Sequence, residues 1–165
     1  MPLGYRASSP NNARLVRLGR RFQGGPHDEP DASHGPSMPP TGGLDGDSQG
    51  ARWGGHYWSG WVPLVQMAQV LPTRGSGLYR IRGADPSTLL YVGQGVIPDR
   101  PLAHLAKTRL PDHPQGGIFA KEPSLECSWV VNDEWLAHQR LELENDLIAA
   151  HLLVTGEIPA AQFLG

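Results

Sequence analysis

Two short runs dense in aromatic and branched residues, GLYRIR at 77–82 and LLYVG at 89–93, dominate the hydrophobic pattern of the chain. The six residues between them, GADPST, are turn formers, so the pattern predicts an antiparallel hairpin. A loop, QGVIPD (94–99), leads into a helix from about 100 to 109. A second loop, PDHPQGG (111–117), precedes a third strand around 125–131. Asn132 then caps a long helix that opens on Asp133 and Glu134, where acidic side chains suit the positive end of the dipole. This helix runs to about Thr155, with Gly156 just past its end. Leu136, Leu143, Leu147 and Val154 are its predicted buried stripe, flanked by Ile148 and Leu152. Ahead of the hairpin, PLVQMAQVL (63–71) is a short helical stretch bounded by Pro63 and Pro72. The preceding WGGHYWSGW (53–61) suits stacking on bases, and suits capping a hydrophobic core better. The expectation is an α/β (mixed α+β) fold: a small three-stranded, mainly antiparallel sheet flanked by helices.

Composition changes this picture at one end. Residues 1–50 hold 9 Gly and 7 Pro, no Trp, and only Tyr5 and Phe22 as aromatics, whereas all five Trp lie further on. Such a segment cannot bury enough apolar surface to offset its ordering entropy. Three regions are therefore expected: a disordered Gly/Pro-rich tail (1–50), an aromatic-rich extension packing on the domain (51–75), and the hairpin-bearing domain (76–165). Within the tail, NARLVRLGRRF (12–22) is basic with interleaved apolar residues. It suits either an arm touching nucleic acid or lipid headgroups, or an incidental extension with Met38 as a later start.

A single cysteine, Cys127, excludes a disulfide scaffold and a structural zinc site; it reads as a small buried apolar residue. No run of 18 apolar residues occurs and the first residues lack a secretory pattern, so a soluble cytoplasmic protein is expected. A net charge of −2 argues against a basic coat protein. It is compatible with an enzyme that meets phosphate through a few arginines and a metal ion.

The spacing of particular residues goes further. Gly77-Leu78-Tyr79, followed after the turn by Tyr91-Val92-Gly93, resembles the paired tripeptide signature of the GIY-YIG nuclease superfamily. Arg100 with His104 one turn later, and Glu144 within Leu143-Glu144-Asn145-Asp146-Leu147-Ile148, are similar to that family's helical arginine, histidine and glutamate. The resemblance covers about 76–165. Two positions depart from it: Pro101 directly follows Arg100, placing the arginine at the helix entry rather than inside its first turn, and Gln162 follows Pro159 where the family often has Asn.

The resemblance implies a metal-dependent endonuclease that hydrolyses DNA phosphodiester bonds. Glu144 would bind Mg2+ or Mn2+, since such ions are often held by one or two carboxylates with water and substrate phosphates completing the shell. Arg100 would neutralise the phosphate through its guanidinium fork. Tyr79 would activate water, with Tyr91 beside it and His104 sharing the proton work. A phenol needs nearby positive charge, from the metal or Arg100, to act as a base at neutral pH. Gly93 would let the backbone turn beside the site, and Gln162 would take the family asparagine's place in contacting substrate.

Each residue also has a purely structural reading: a surface ion pair of Glu144 with Arg140, cross-strand packing of the tyrosines, a solvated Arg100 and a buried His104. Nine Lys/Arg against eleven Asp/Glu lie beyond residue 50, so intrinsic DNA affinity should be weak. Recruitment by a partner protein would compensate. The alternative is a catalytically silent module of the same fold that binds nucleic acid or protein. No membrane partner is expected.

Overall fold

The computed structural model describes residues 46–164, so residues 1–45, including the basic segment 12–22 and Met38, lie outside the described residues. The chain forms a mixed α/β fold with two antiparallel sheets and four α-helices among those residues. Strands β1 (Arg52–Trp53) and β2 (His56–Tyr57) make a small hairpin. Strand β3 (Val62–Pro63) leads through a 3-10 turn, Leu64–Gln66, into α1 (Met67–Val70). The expected hairpin follows as β4 (Gly75–Arg82) and β5 (Leu89–Ile97). Helices α2 (Asp99–Lys107) and α3 (Pro114–Phe119), strand β6 (Glu126–Val131) and the long α4 (Ala137–Thr155) complete the order.

The main sheet has the order β3-β6-β4-β5, so it contains four strands where three were expected. The additional strand pairs Val62 with Cys127 at the edge. Two residues, one a proline, carry no alternation that a pattern could register. In the central hairpin Tyr79 opposes Gly93 and Ile81 opposes Tyr91, while Tyr79 opposes Trp129 on its other side. Strand β5 continues through 94–97, expected as a loop, because these residues pair with 75–78.

Two further boundaries differ from expectation for local reasons. The predicted loop 111–117 contains the start of α3, where His113 accepts from the Gly116 amide and Pro114 occupies the first helical turn. The long helix begins at Ala137, not beside Asn132. Asn132 instead accepts the Glu134 amide in a local turn, and the Gln139 side chain accepts the Leu136 amide at the true start. Gly156, in left-handed backbone (φ 81°), ends the helix where expected.

The sheet has a hydrophobic cluster on each face. Leu64, Met67, Tyr79, Ile81, Leu90, Ile97, Phe119 and Cys127 make one, beneath α1, α2 and α3. Trp53, Trp58, Leu78, Leu89, Val92, Leu143, Leu147 and Ile148 make the other, against α4. The stripe expected on α4 is therefore only partly buried: Leu143, Leu147 and Ile148 are inside, whereas Leu136, Leu152 and Val154 are exposed. Gln139, Arg140, Glu144, Ala150 and His151 take the other buried positions.

Arg80, at the centre of β4, is fully buried. Its guanidinium donates to the Ser48 and Gly50 carbonyls at 2.6 and 2.7 Å and to Ser128 Oγ, and lies 4.4 Å from the Trp58 ring centroid and 4.6 Å from that of Trp61. These bonds fold residues 46–50, which composition assigns to the tail, onto the sheet. Burial pushes the pKa of Arg80 down to about 9, so it retains its charge and needs every acceptor. Arg80→Met is expected to cost on the order of 3 kcal/mol, because carbonyls and a hydroxyl lose a charged donor inside the core. Urea denaturation measures this directly; a loss under about 1 kcal/mol would show that the tryptophans hold 46–61 in place without the arginine.

Candidate active site

Strand alternation decides which hairpin side chains meet. Tyr79 and Tyr91 project to the face covered by α2, because residues two apart share a face and the register puts Ile81 opposite Tyr91. Their rings lie 6.0 Å apart between centroids. Helix α2 starts at Asp99 and accommodates Pro101 in its first turn, where no amide donor is needed, so Arg100 lies inside that turn rather than at the entry. His104, one turn later, places its ring 4.5 Å from Tyr91 and 5.8 Å from Tyr79. The Tyr79 hydroxyl is 2.9 Å from His104 Nε2. Phe119 closes the cluster edge-on against both Tyr91 and His104.

This pocket of rings is dry, and its protonation follows. Burial pushes Tyr79 well above the ordinary phenol range, Tyr91 adds to the rise, and Arg100 opposes it. Tyr91 is raised by burial and then by the Glu144 charge, against Arg100. Burial, then the Lys107 charge, pushes His104 down to about 3, although its bond to Gln115 opposes this. Both phenols and the imidazole are consequently neutral near pH 7. Arg100 does not by itself make a phenolate.

Glu144 is 9% exposed, not the surface carboxylate that helix periodicity suggests. Its Oε2 is buried without a hydrogen-bond partner. Burial raises its pKa to about 8, and the cation acting against that rise is Arg100, not Arg140. Arg140 instead donates to Gln94 Oε1 and the Trp135 carbonyl. Arg100 thus bears on the phenols and the carboxyl together. Its side chain lies over Gly95, where a Cβ would come within 2.7 Å of Arg100 Cγ; that glycine also has φ +137°, which disfavours other residues.

Gly93 serves packing rather than a turn: it sits within β5 opposite Tyr79. A Cβ there would lie 2.5 Å from Tyr79 Cζ, 2.6 Å from the Tyr79 hydroxyl and 2.7 Å from Tyr91 Cε1. The two phenols can approach only across a residue with no side chain. Gln162 is buried and its Oε1 accepts the Val92 amide at 3.1 Å. With the Ala161 amide bonded to the Leu90 carbonyl, it ties the C-terminal segment to β5. Gln162 is therefore engaged with backbone in this state.

The structure thus brings together Tyr79, Tyr91, Arg100, His104 and Glu144, with Gly93 between the phenols. It adds Gly95 and Gln115, neither of which carries a sequence signal of its own: one is a glycine in an apparent loop, the other a polar residue among turn formers. A polar concavity of about 500 Å³, bounded in part by Ser48, Arg82, Ser87 and His151, contains none of the expected site residues. Among the described residues no three His, Cys, Asp or Glu cluster as a metal cage, and no helix is long and apolar enough to cross a membrane.

Chemically, the arrangement combines a chain of neutral proton carriers with a guanidinium and a buried carboxyl that has an unsatisfied oxygen. The donor set suits a hard divalent cation. A carboxyl raised to about 8 gains from positive charge beside it, and Mg2+ accepts a lone carboxylate when water and phosphate fill its shell. No protein-family model matches this chain, nor does any curated protein or solved structure.

Proposed function

We propose that the chain is a divalent-metal-dependent endonuclease of GIY-YIG type that hydrolyses phosphodiester bonds in DNA. The observation that carries the reading is the buried, partnerless Glu144 oxygen set electrostatically against Arg100 and two phenols packed ring to ring. A purely structural domain gains nothing from a carboxyl buried without a partner, because such a group costs stability. A hydrolase does gain, since the deficit is relieved when cation and phosphate arrive.

Glu144 would hold the ion, which when bound supplies positive charge for the phosphate and the departing oxygen. Arg100 binds a non-bridging phosphate oxygen and neutralises charge as it develops. Tyr79, hydrogen-bonded to His104 Nε2, accepts the proton of the attacking water while His104 receives the phenol's own. A neutral phenol relayed to an imidazole avoids the phenolate that burial forbids. Tyr91 packs against the Tyr79 ring and holds it in place.

Weak intrinsic DNA affinity accompanies this reading. Arg80 and Arg140 are buried, Arg82 pairs with Glu126, and Arg74 pairs with Asp99. Among the described residues these burials and pairings leave fewer cations for phosphate contact, which favours recruitment by a partner protein.

The direct test incubates the full chain with supercoiled plasmid, with and without Mg2+ or Mn2+. Metal-dependent nicking that disappears with EDTA is expected. A folded protein that nicks with neither ion, even at low salt, would replace this reading with that of a binding module.

A further inference from the structure

Gln115, on α3, is 2% exposed, and its amide makes three contacts inside the protein. Oε1 lies 3.1 Å from His104 Nδ1 and 2.5 Å from Lys107 Nζ, while Nε2 lies 2.9 Å from the Ala161 carbonyl. An ammonium only donates and a backbone carbonyl only accepts, so the amide has a single satisfactory orientation. Oε1 therefore accepts from His104, which puts the imidazole hydrogen on Nδ1. Nε2 is left with its lone pair, and the Tyr79 hydroxyl at 2.9 Å is the donor to it.

We propose that Gln115 is a positioning residue that sets the tautomer of His104 and thereby the direction of proton transfer, from Tyr79 toward His104. Its catalytic consequence rests on the nuclease reading; the tautomer assignment does not. In the forward step a water O–H bond breaks and that proton bonds to the Tyr79 oxygen. The original Tyr79 O–H bond breaks in concert, and its proton bonds to His104 Nε2. The imidazolium keeps its Nδ1–H on Gln115, the hydroxide equivalent attacks phosphorus, and the leaving oxygen departs. The proton returns through Tyr79 to protonate the leaving oxygen or solvent, restoring the neutral ring. The opposite tautomer would donate Nε2–H to Tyr79, offering no acceptor for the phenol's hydrogen. Burial and the neighbouring Lys107 charge keep the resting imidazole neutral and disfavour the imidazolium, so the proton stays on His104 only transiently before it returns through Tyr79.

The sequence explains why one amide can do this. Pro114 and the His113 cap fix the first turn of α3, and Ala161 brings the C-terminal segment within reach of Nε2. A glutamine supplies an acceptor and a donor on one rigid plane, which neither Glu nor a hydroxyl residue reproduces.

The test reads the imidazole directly in the full chain labelled with 15N, the His104 resonances being identified by their loss in His104→Gln. Parent protein should show a protonated Nδ1 and a pyridine-like Nε2. Gln115→Met should raise the population of the Nε2–H form and lower kcat about 10- to 100-fold, with KM for DNA little changed. Gln115→Glu keeps the acceptor but loses the donor to Ala161. It should retain the Nδ1–H form and cut at least about threefold faster than Gln115→Met. A parent spectrum with Nε2 protonated overturns the proposal, as does Gln115→Met with an unaltered tautomer. Equal defects in Met and Glu variants would overturn it in favour of simple anchoring of Ala161. If parent protein shows the expected tautomer yet cuts no DNA with either metal, the nuclease reading fails while the Gln115 assignment to His104 stands.

Discussion

Glu144→Gln is expected to reduce metal-dependent nicking at least about 1,000-fold while leaving the free protein more stable than its parent at pH 8. Both effects come from one oxygen. The carboxyl is buried, its Oε2 has no partner, and burial raises its pKa from an ordinary 4.5 to about 8. A group whose folded-state pKa is raised holds its proton more tightly when folded. Its contribution to stability is complete below the unfolded value and is lost as pH rises toward the folded one. Relative to the glutamine variant, the parent should therefore lose about 1.4 kcal/mol per pH unit between roughly 4.5 and 8, levelling off above. Urea midpoints at several pH values measure this difference. Added Mg2+ should raise the parent's midpoint at pH 8 and leave the variant's unmoved. Nicking by Glu144→Gln at the parent's rate would remove the metal from the reading. A stability difference indifferent to pH would instead deny that the carboxyl is buried as a burden on the fold.

That burden is also why sequence pattern alone misjudges this helix. Hydrophobic periodicity treats Glu144 and Arg140, four residues apart, as a solvated ion pair. In fact both lie on the inward side of α4, Arg140 spent on Gln94 and Trp135 and Glu144 left with an open oxygen. Polar residues at inward positions dilute the apolar stripe and push the expected burial toward the helix ends, where Leu136 and Val154 are exposed. Glu144 was expected beside the tyrosines only because its setting could be compared with another spacing, that of the two tripeptides.

Elements built from strong local signals were legible: the hairpin around GADPST, the third strand and the glycine that ends α4. What escaped depends on contacts distant in sequence. Residues 46–50 have a tail's composition, yet their carbonyls receive Arg80 from β4. Strand β3 exists because β6 offers it an edge. Gln115 looks like loop until His104, Lys107 and Ala161 converge on its amide. Local propensity cannot carry such information, since each partner is supplied by another segment.

Tyr79→Phe should lower kcat about 100- to 1,000-fold with KM for DNA unchanged, the range expected when a positioned proton carrier is removed. The ring is 1% exposed and packs against Tyr91 and His104, so phenylalanine fills the same space. Only the hydroxyl is lost. Its absence leaves His104 Nε2 buried without its donor, at a stability cost of about 1–2 kcal/mol. A kinetic effect of two to three orders of magnitude exceeds anything such a cost could produce in a protein that remains folded under assay. The mechanism of the loss is separable too. Were Tyr79 a phenolate base, the parent's rate would climb with pH toward the phenol's raised pKa. In a neutral relay that pKa is never traversed, so the parent's rate should be flat from about pH 8 to 10 apart from changes in metal binding. A Tyr79→Phe variant cutting within about threefold of parent would reduce the two tyrosines to cross-strand packing. A parent rate rising tenfold per pH unit across that range would restore the phenolate and dispense with His104 as the proton's destination.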